Sequence, residues 1–303
     1  MTMRVAIIGC GAVGSIHAAS LRKHPEVDIV AVFSPDIDSA ASFASTHLIP
    51  KVGESLQSAI AGADIAVICS PSGLHFAQAR ECIAAGLHTL IELPACESLS
   101  EAEELAAEAH KQGVLVGCAH TARYLQPYAI VQSAVEAGRM GEIRAIHYIR
   151  HLQLRARAWS DNALVHHAAH AMDLAMRWCG EVKLLGCVAN PGADSAQSTS
   201  ILAMLPSGGP LAVNVSYESR IPLSSMVIVG TKGTIATDGF SELRSDLSEL
   251  QFAGDEQMVY RNAIAKQDSE FIGACFAKNG FVPWTETVSL IRVISELKRL
   301  SSF

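Results

Sequence analysis

Short apolar runs recur along the first 120 residues, and each is followed by a stretch of helical composition. RVAIIG (4–9) leads to GSIHAASLRKH (14–24), DIVAVFS (28–34) to SAASFASTH (39–47), and ADIAVICS (63–70) to LHFAQARECIAAG (74–86). HTLIELP (88–94) leads to SEAEELAAEAHKQG (100–113), and VLVGCAH (114–120) closes the series. Ser100 with Glu103 three residues on reads as a capping box for the last of these helices. Continuous apolar strands alternating with helices predict a parallel sheet covered on both faces, a doubly wound α/β layer. From residue 142 the pattern changes. EIRAIHYIRHLQL (142–154), EVKLLGCVA, STSILAML, PLAVNVSYE and SSMVIVG follow one another mostly through short turns. Such a run predicts an α+β domain with an open, mostly antiparallel sheet. WTETVSLIRVISELKRL (284–300) reads as a C-terminal helix. The expected division is 1–120 and 121–303, with the C-terminal helix free to pack back on the first domain.

Composition narrows the function classes. Of the 303 residues half are hydrophobic and 17% charged, and the net charge is −7. No basic cluster is present, so neither nucleic acid nor a membrane surface is an expected partner, and the expected ligand is a small molecule. No apolar run has the length of a membrane span, and the N-terminal MTMRVAIIGCG lacks the pattern of a signal peptide. The eight cysteines contain no CxxC and lie mostly in apolar segments, which points to reduced thiols and a cytoplasmic location.

The first strand–helix junction carries Gly9-Cys10-Gly11-Ala12-Val13-Gly14. A GxGxxG that follows a strand and opens a helix reads as a dinucleotide fingerprint. Gly9 permits the tight turn, Gly11 leaves room for a pyrophosphate, and Gly14 lets helix and strand pack closely. The helix N-terminus, including Ala12 and Val13, then faces the phosphates. NAD sites usually place an acid at the end of the second strand, but Ser34 stands there, followed by Pro35 and Asp36. A neutral Ser34 does not repel a 2′-phosphate, which favours NADP over NAD; no arginine follows, and Asp36 is within reach of a ribose.

Several further segments together resemble the Gfo/Idh/MocA family of NAD(P)-dependent oxidoreductases. They are Cys69-Ser70-Pro71 with His75, Gly86-Leu87-His88 leading to Glu92-Leu93-Pro94, and Arg123-Tyr124 after VLVGCAH. His170-Ala171-Met172-Asp173 and Gly230-Thr231-Lys232-Gly233-Thr234 complete the set. The resemblance spans nearly the whole chain. It implies that Ser70, Pro71, His75, Glu92 and Pro94 contact the coenzyme, that His170 stands beside the nicotinamide, and that the open sheet face joins copies into a homo-oligomer, a dimer or tetramer. Two positions depart from the family pattern. The motif lysine is Leu93 here, and the aspartate four residues before the helix histidine is His166. HTARY (120–124), AWSDNALVHHAAHAMDL (158–174) and QDSEFI (267–272) are similar to a narrower branch, the 4-carboxy-2-hydroxymuconate-6-semialdehyde dehydrogenases. That branch shares both departures and oxidises a ring-closed hemiacetal with NADP.

On an α-helix His166, His170 and Asp173 would share one face, with His167 about a quarter turn away. The histidines allow three readings. They can pack with satisfied hydrogen bonds, they can ligate a metal through HxxxH, or they can act in acid–base catalysis. A metal needs a third ligand; no Glu sits in the H-E-x-x-H position, and His120 and His75 belong to other motifs, so no metal is expected. Loss of a hydride from a hydroxyl-bearing carbon requires a base for the hydroxyl proton, and with Leu93 in place of lysine His170, backed by His166, is the candidate. His120, Arg123, Tyr124, Trp159 and His167 are the candidate substrate contacts, and Arg155 and Arg157 read more readily as solvated strand-end residues than as carboxylate forks. The expected activity is an NAD(P)-dependent dehydrogenase acting on a CH–OH group of a small polar substrate, such as a cyclic hemiacetal or a carboxylated hydroxy compound. A sugar or polyol dehydrogenase, or a coenzyme-binding sensor without turnover, are the alternatives.

Overall fold

In the computed structural model, residues 2–153, 162–278 and 280–301 are described. The chain divides into two compact units, Met1–Thr121 with Ile264–Ile291, and Ala122–Ala263 with Arg292–Phe303.

The first unit is built on five parallel strands, β1 (Met3–Ile8), β2 (Val27–Phe33), β3 (Ile65–Ile68), β4 (His88–Glu92) and β5 (Val116–Ala119), in the order β2-β1-β3-β4-β5. Beyond β2, Val52 forms a parallel bridge to Val32, held by Val32 N–H to Lys51 O at 3.0 Å and Gly53 N–H to Val32 O at 2.9 Å. With this rudimentary strand the order is that of a dinucleotide-binding fold, whose switch point lies between β1 and β3. The helices are α1 (Ala12–Leu21), α2 (Ile37–His47), α3 (Leu56–Ile60), α4 (His75–Ala84) and α5 (Leu99–Gln112). Strand residues alternate between two apolar layers. Ala6, Ile8, Ile68 and Ile91 face α3, α4 and α5, whereas Val5, Ile7, Val67 and Leu90 face α1, α2 and Phe271, Ile272 and Cys275. Burial of the strands on both faces explains their uninterrupted apolar runs.

Two boundaries differ from the sequence reading. Helix α1 begins at Ala12, directly after the Gly11 N-cap, rather than at 14. The capping box on α5 is Ser98 with Glu101, not Ser100 with Glu103. Both pairs satisfy the spacing, but the Glu101 carboxylate accepts from two backbone N–H groups, those of Glu97 (2.8 Å) and Ser98 (3.2 Å), which favours the earlier start.

The second unit contains α6 (Gln126–Glu136), β6 (Ile143–Gln153), a π-helical turn at Ala163–Ala168 that runs into α7 (Ala169–Cys179), and strands β7 (Lys183–Asn190) and β8 (Ser198–Met204). β9 (Pro210–Ser216), β10 (Glu218–Gly230), β11 (Thr234–Thr237), β12 (Glu242–Ser245) and β13 (Phe252–Ala253) follow. They form an eight-stranded open sheet in the order β13-β12-β11-β10-β6-β9-β8-β7. Only β6 and β9 pair in parallel among these neighbours. The Gly230–Thr234 segment is the β10–β11 turn, with Gly230 N–H bonded to Gly233 O at 2.8 Å. The turn 163–168 packs on β8 and β9, and α7 on β6. Leu185, Val188 and Leu202 project from β7 and β8 about half exposed or more.

Helices α8 (Glu256–Ala277) and α9 (Trp284–Leu300) complete the chain. The C-terminal part of α8 supplies one apolar layer of the first unit through Phe271 and Ile272. The first turns of α9 pack there through Trp284, whose indole N–H donates to Ala102 O at 2.9 Å, and Ile291 beside Cys96. The sequence reading did not identify α6 or α8. α8 has no single apolar stripe, so helical periodicity does not reveal it.

Candidate active site

The glycine turn at the end of β1 is sterically determined. Gly9 has φ +112°, and a Cβ there would lie 2.5 Å from the backbone of Cys69. A Cβ on Gly14 would lie 2.6 Å from Gly9 O. A Cβ on Gly11 would meet nothing within 4 Å, and no side chain caps α1. The first-turn N–H groups of α1 therefore open onto space that an anion can fill, which fits a coenzyme pyrophosphate.

Ser34 lies one residue beyond β2, beside the Cys10 thiol. Burial pushes that thiol up to about 11. Asp36 caps α2. Its Oδ1 accepts from the N–H groups of Asp38 (3.1 Å) and Ser39 (3.2 Å), and its Oδ2 from the Ser39 hydroxyl (2.6 Å). The Ser39 bonds hold the carboxyl below the usual range, so this strand end carries a negative charge.

Ser70 and Pro71 follow β3, and Glu92, Leu93 and Pro94 end β4. The Ser70 hydroxyl donates to Gln78 Oε1 at 2.6 Å. His75 is buried, with Nδ1 2.8 Å from Pro94 O and Nε2 2.8 Å from Ser70 O. Its ring ties the two strand-end turns together and leaves neither nitrogen for a coenzyme, so the structure makes it a support for Ser70 and Pro94. His120 is also buried, with Nε2 3.0 Å from Thr287 Oγ1.

The sequence reading overlooked His17. It lies on α1 with a fully buried ring, Nδ1 2.8 Å from Asp268 Oδ1 and Nε2 3.0 Å from Glu92 Oε1. Burial opposes charge on this imidazole, but the Asp268 and Glu92 carboxylates outweigh it and raise its pKa to about 10. The only signal was positional, a histidine one helical turn after Gly14; its partner Asp268 stands 251 residues away.

In the second unit, the histidine segment is not one α-helix. Residues 163–168 are π-wound, with Asn162 accepting from the N–H groups of Leu164 (2.9 Å) and Val165 (3.2 Å). The altered winding removes the regular spacing on which a shared face for His166, His170 and Asp173 depended. His166 turns back toward the start of this segment, where its Nδ1 lies 3.0 Å from Asn162 O and 3.1 Å from Asn162 N. His167 and His170 have ring centroids 6.2 Å apart, and His167 meets the buried Tyr217 edge-on at 5.5 Å. Asp173 binds Arg123 bidentately, through Nε at 2.8 Å and Nη2 at 2.5 Å, with both side chains about 5% exposed. The fork expected to hold a substrate carboxylate thus anchors α7 instead. Tyr124 sits half-buried beside Arg123 in sequence; Arg155, Arg157 and Trp159 lie outside the described residues. Among the described residues no three His, Cys, Asp or Glu side chains are grouped to hold a metal ion, and no helix is long and apolar enough to cross a membrane.

Two family models match this chain. Residues 3–120 match the oxidoreductase family with an NAD-binding Rossmann fold, and residues 128–236 match the GFO/IDH/MocA C-terminal domain. The chain belongs to the Gfo/Idh/MocA oxidoreductase family. Among its relatives, the 4-carboxy-2-hydroxymuconate-6-semialdehyde dehydrogenase of Sphingobium sp. (strain NBRC 103272 / SYK-6) is 27% identical, with 98% of each chain covered. The glucose-6-phosphate 3-dehydrogenase of Bacillus subtilis (strain 168) is 27% identical over 53% of this chain and 47% of its own. GenD2 from gentamicin A biosynthesis, solved in complex with NAD, superposes with a TM-score of 0.88 at 18% identity, covering 99% of this chain and 94% of its own. This member of the Gfo/Idh/MocA family is an NAD(P)-dependent dehydrogenase, and its Rossmann unit is the NAD-binding one.

Proposed function

We propose that this dehydrogenase oxidises the hydroxyl-bearing carbon of a small polar substrate, with a cyclic hemiacetal as the best-supported class. The observation that carries the reading is the His167–His170 ring pair, 6.2 Å between centroids, on a segment that runs into the helix anchored through Asp173, in a chain whose family lysine is replaced by Leu93. When bound, the nicotinamide supplies the hydride acceptor. The glycine turn and the α1 N-terminus hold its pyrophosphate, and Ser70, Pro71, Glu92 and Pro94 line its carboxyl-edge side. His170 accepts the hydroxyl proton, His167 and Tyr124 orient the substrate, and Arg123 acts through Asp173 to set the helix. An imidazole is matched to this task at neutral pH, and a hemiacetal hydroxyl is acidic enough to make a lysine dispensable. The full-length similarity to the Sphingobium enzyme supports the hemiacetal over a sugar or polyol.

His170→Ala lowers kcat by about 10²–10⁴-fold while the NADH dissociation constant, followed by fluorescence, stays near that of the wild type. Unchanged turnover would remove His170 from the mechanism, and coenzyme binding without turnover of any hemiacetal, hydroxy acid or sugar would favour the sensor.

The coenzyme reading departs from the sequence-based preference for NADP. Asp36 is a fixed negative charge one turn past the end of β2, and its repulsion of a 2′-phosphate supports NAD. Asp36→Ala shifts the ratio of NADH to NADPH affinities toward NADPH by about tenfold; side-by-side titrations read the ratio. The half-exposed Leu185, Val188 and Leu202 support a second copy of the chain on the open sheet face.

A further inference from the structure

His17, Glu92 and Asp268 form an ionisable triad that the proton transfer above does not use. The three come from α1, β4 and α8 and meet at the carboxyl edge of the first sheet. Both ring nitrogens of His17 face carboxylate oxygens, which in ionised form only accept hydrogen bonds. Both contacts are satisfied when the two carboxylates and the imidazole share one proton beyond the neutral ring. Wherever that proton sits, the triad carries a net charge of −1. The family lysine that would offset it is Leu93 here, and the Cys69 thiol, pushed up by burial, stays neutral and adds no charge. Asp268 Oδ2 is buried without a hydrogen-bond partner, so the negative charge is poorly dispersed on that side. Glu92 is the member that reaches the surface, with a side chain 18% exposed.

The location of this charge relative to the coenzyme follows from strand order, and the inference therefore rests on the coenzyme reading. Ser34 and Asp36 mark the adenosine side at β2, and the glycine turn marks the pyrophosphate at β1. The second nucleoside then extends over β3 and β4, and β4 lies two strands, about 10 Å, from the glycine turn. Oxidised nicotinamide is a cation and reduced nicotinamide is neutral. A negative site at that strand end favours the first over the second.

We propose that the His17–Glu92–Asp268 triad selects the redox state of the coenzyme, presenting its net negative charge at the nicotinamide end through Glu92 so that the oxidised form is bound in preference to the reduced one. Glu92 is the group that exerts the charge, and His17 and Asp268 are positioning residues that lock it. Loss of the net charge removes the preference; loss of reach without loss of charge does not.

The test uses the full chain and measures dissociation constants for NAD⁺ and NADH by calorimetry and fluorescence in wild type, Glu92→Gln and Glu92→Asp. In Glu92→Gln the NAD⁺ constant rises about tenfold while that for NADH changes by less than about twofold. In Glu92→Asp the ratio of the two stays near wild type whatever happens to each. An equal weakening of both ligands in Glu92→Gln would overturn the proposal and leave the coenzyme reading intact. Failure of wild-type protein to bind any of NAD⁺, NADH, NADP⁺ or NADPH would overturn both. An independent arm needs no variant: nitrogen-15 spectra of histidine-labelled wild type show His17 doubly protonated across neutral pH, and a singly protonated His17 ring with both carboxylates ionised would sink the charge assignment.

Discussion

Gly11→Ala abolishes tight coenzyme binding and leaves the fold nearly as stable as before. Gly11 has φ −78° and ψ −177°, an extended conformation open to alanine, and its added methyl touches nothing within 4 Å. The expected cost is the difference between glycine and alanine at a helix N-cap, at most about 1 kcal/mol, or a Tm lowered by about 2–4 °C. The same methyl occupies the space into which the α1 N–H groups open. Losing one or two hydrogen bonds to a charged phosphate, at about 1.5–3 kcal/mol each, weakens NADH by roughly 10- to 100-fold or more. Gly14→Ala is the contrast. Its methyl would lie 2.6 Å from Gly9 O and 3.2 Å from Cys69 Sγ, so it strains the turn and lowers stability by about 1–3 kcal/mol. Thermal melts beside NADH titrations separate the two. Wild-type affinity in Gly11→Ala would mean that the glycine turn does not hold a pyrophosphate.

Asp173→Ala is expected to be the most destabilising polar substitution in the second unit. It strips the bidentate carboxylate from an Arg123 side chain only 5% exposed. Breaking a buried pair from one side costs about 3–5 kcal/mol, a fall in Tm of about 6–20 °C. Arg123→Met with Asp173→Leu removes both charges together and recovers most of that loss, because the desolvation of the pair disappears with it. Urea denaturation followed by tryptophan fluorescence measures both, with Trp178 on the same helix as Asp173 serving as a reporter. A loss below about 1 kcal/mol for Asp173→Ala would show that the pair behaves as a surface ion pair. Since His170 stands one turn before Asp173, the single variant also lowers turnover, and the double variant separates anchoring from charge.

Much of the first unit was legible because its signals are local. The strand runs 4–9, 28–34, 63–70 and 88–94 each overlap an observed strand, since a sheet buried on both faces leaves an unbroken apolar signature. The capping box was displaced by two residues because Ser98 and Ser100 offer the same spacing, and only the observed bonds from Glu97 and Ser98 to Glu101 separate them. The histidine segment was harder. Its residue types were visible, but an α-helical wheel has no place for a π-wound turn, and the adjacent rings proved to be those of His167 and His170.

From the amino-acid order alone came the dinucleotide-binding architecture and the glycine turn, because strand periodicity and backbone sterics are properties of neighbouring positions, and the family resemblance added that Leu93 stands where a lysine is implied. Tertiary structure alone decided which charges meet. It joined Arg123 to Asp173 across 50 residues and His17 to Asp268 across 251, turned His75 into a brace between two carbonyls, and brought α8 in as a layer of the first unit. The reason is physical: a charge or a ring acts over a few ångströms of space, and no local pattern in the chain encodes which distant side chain folding will bring within that range.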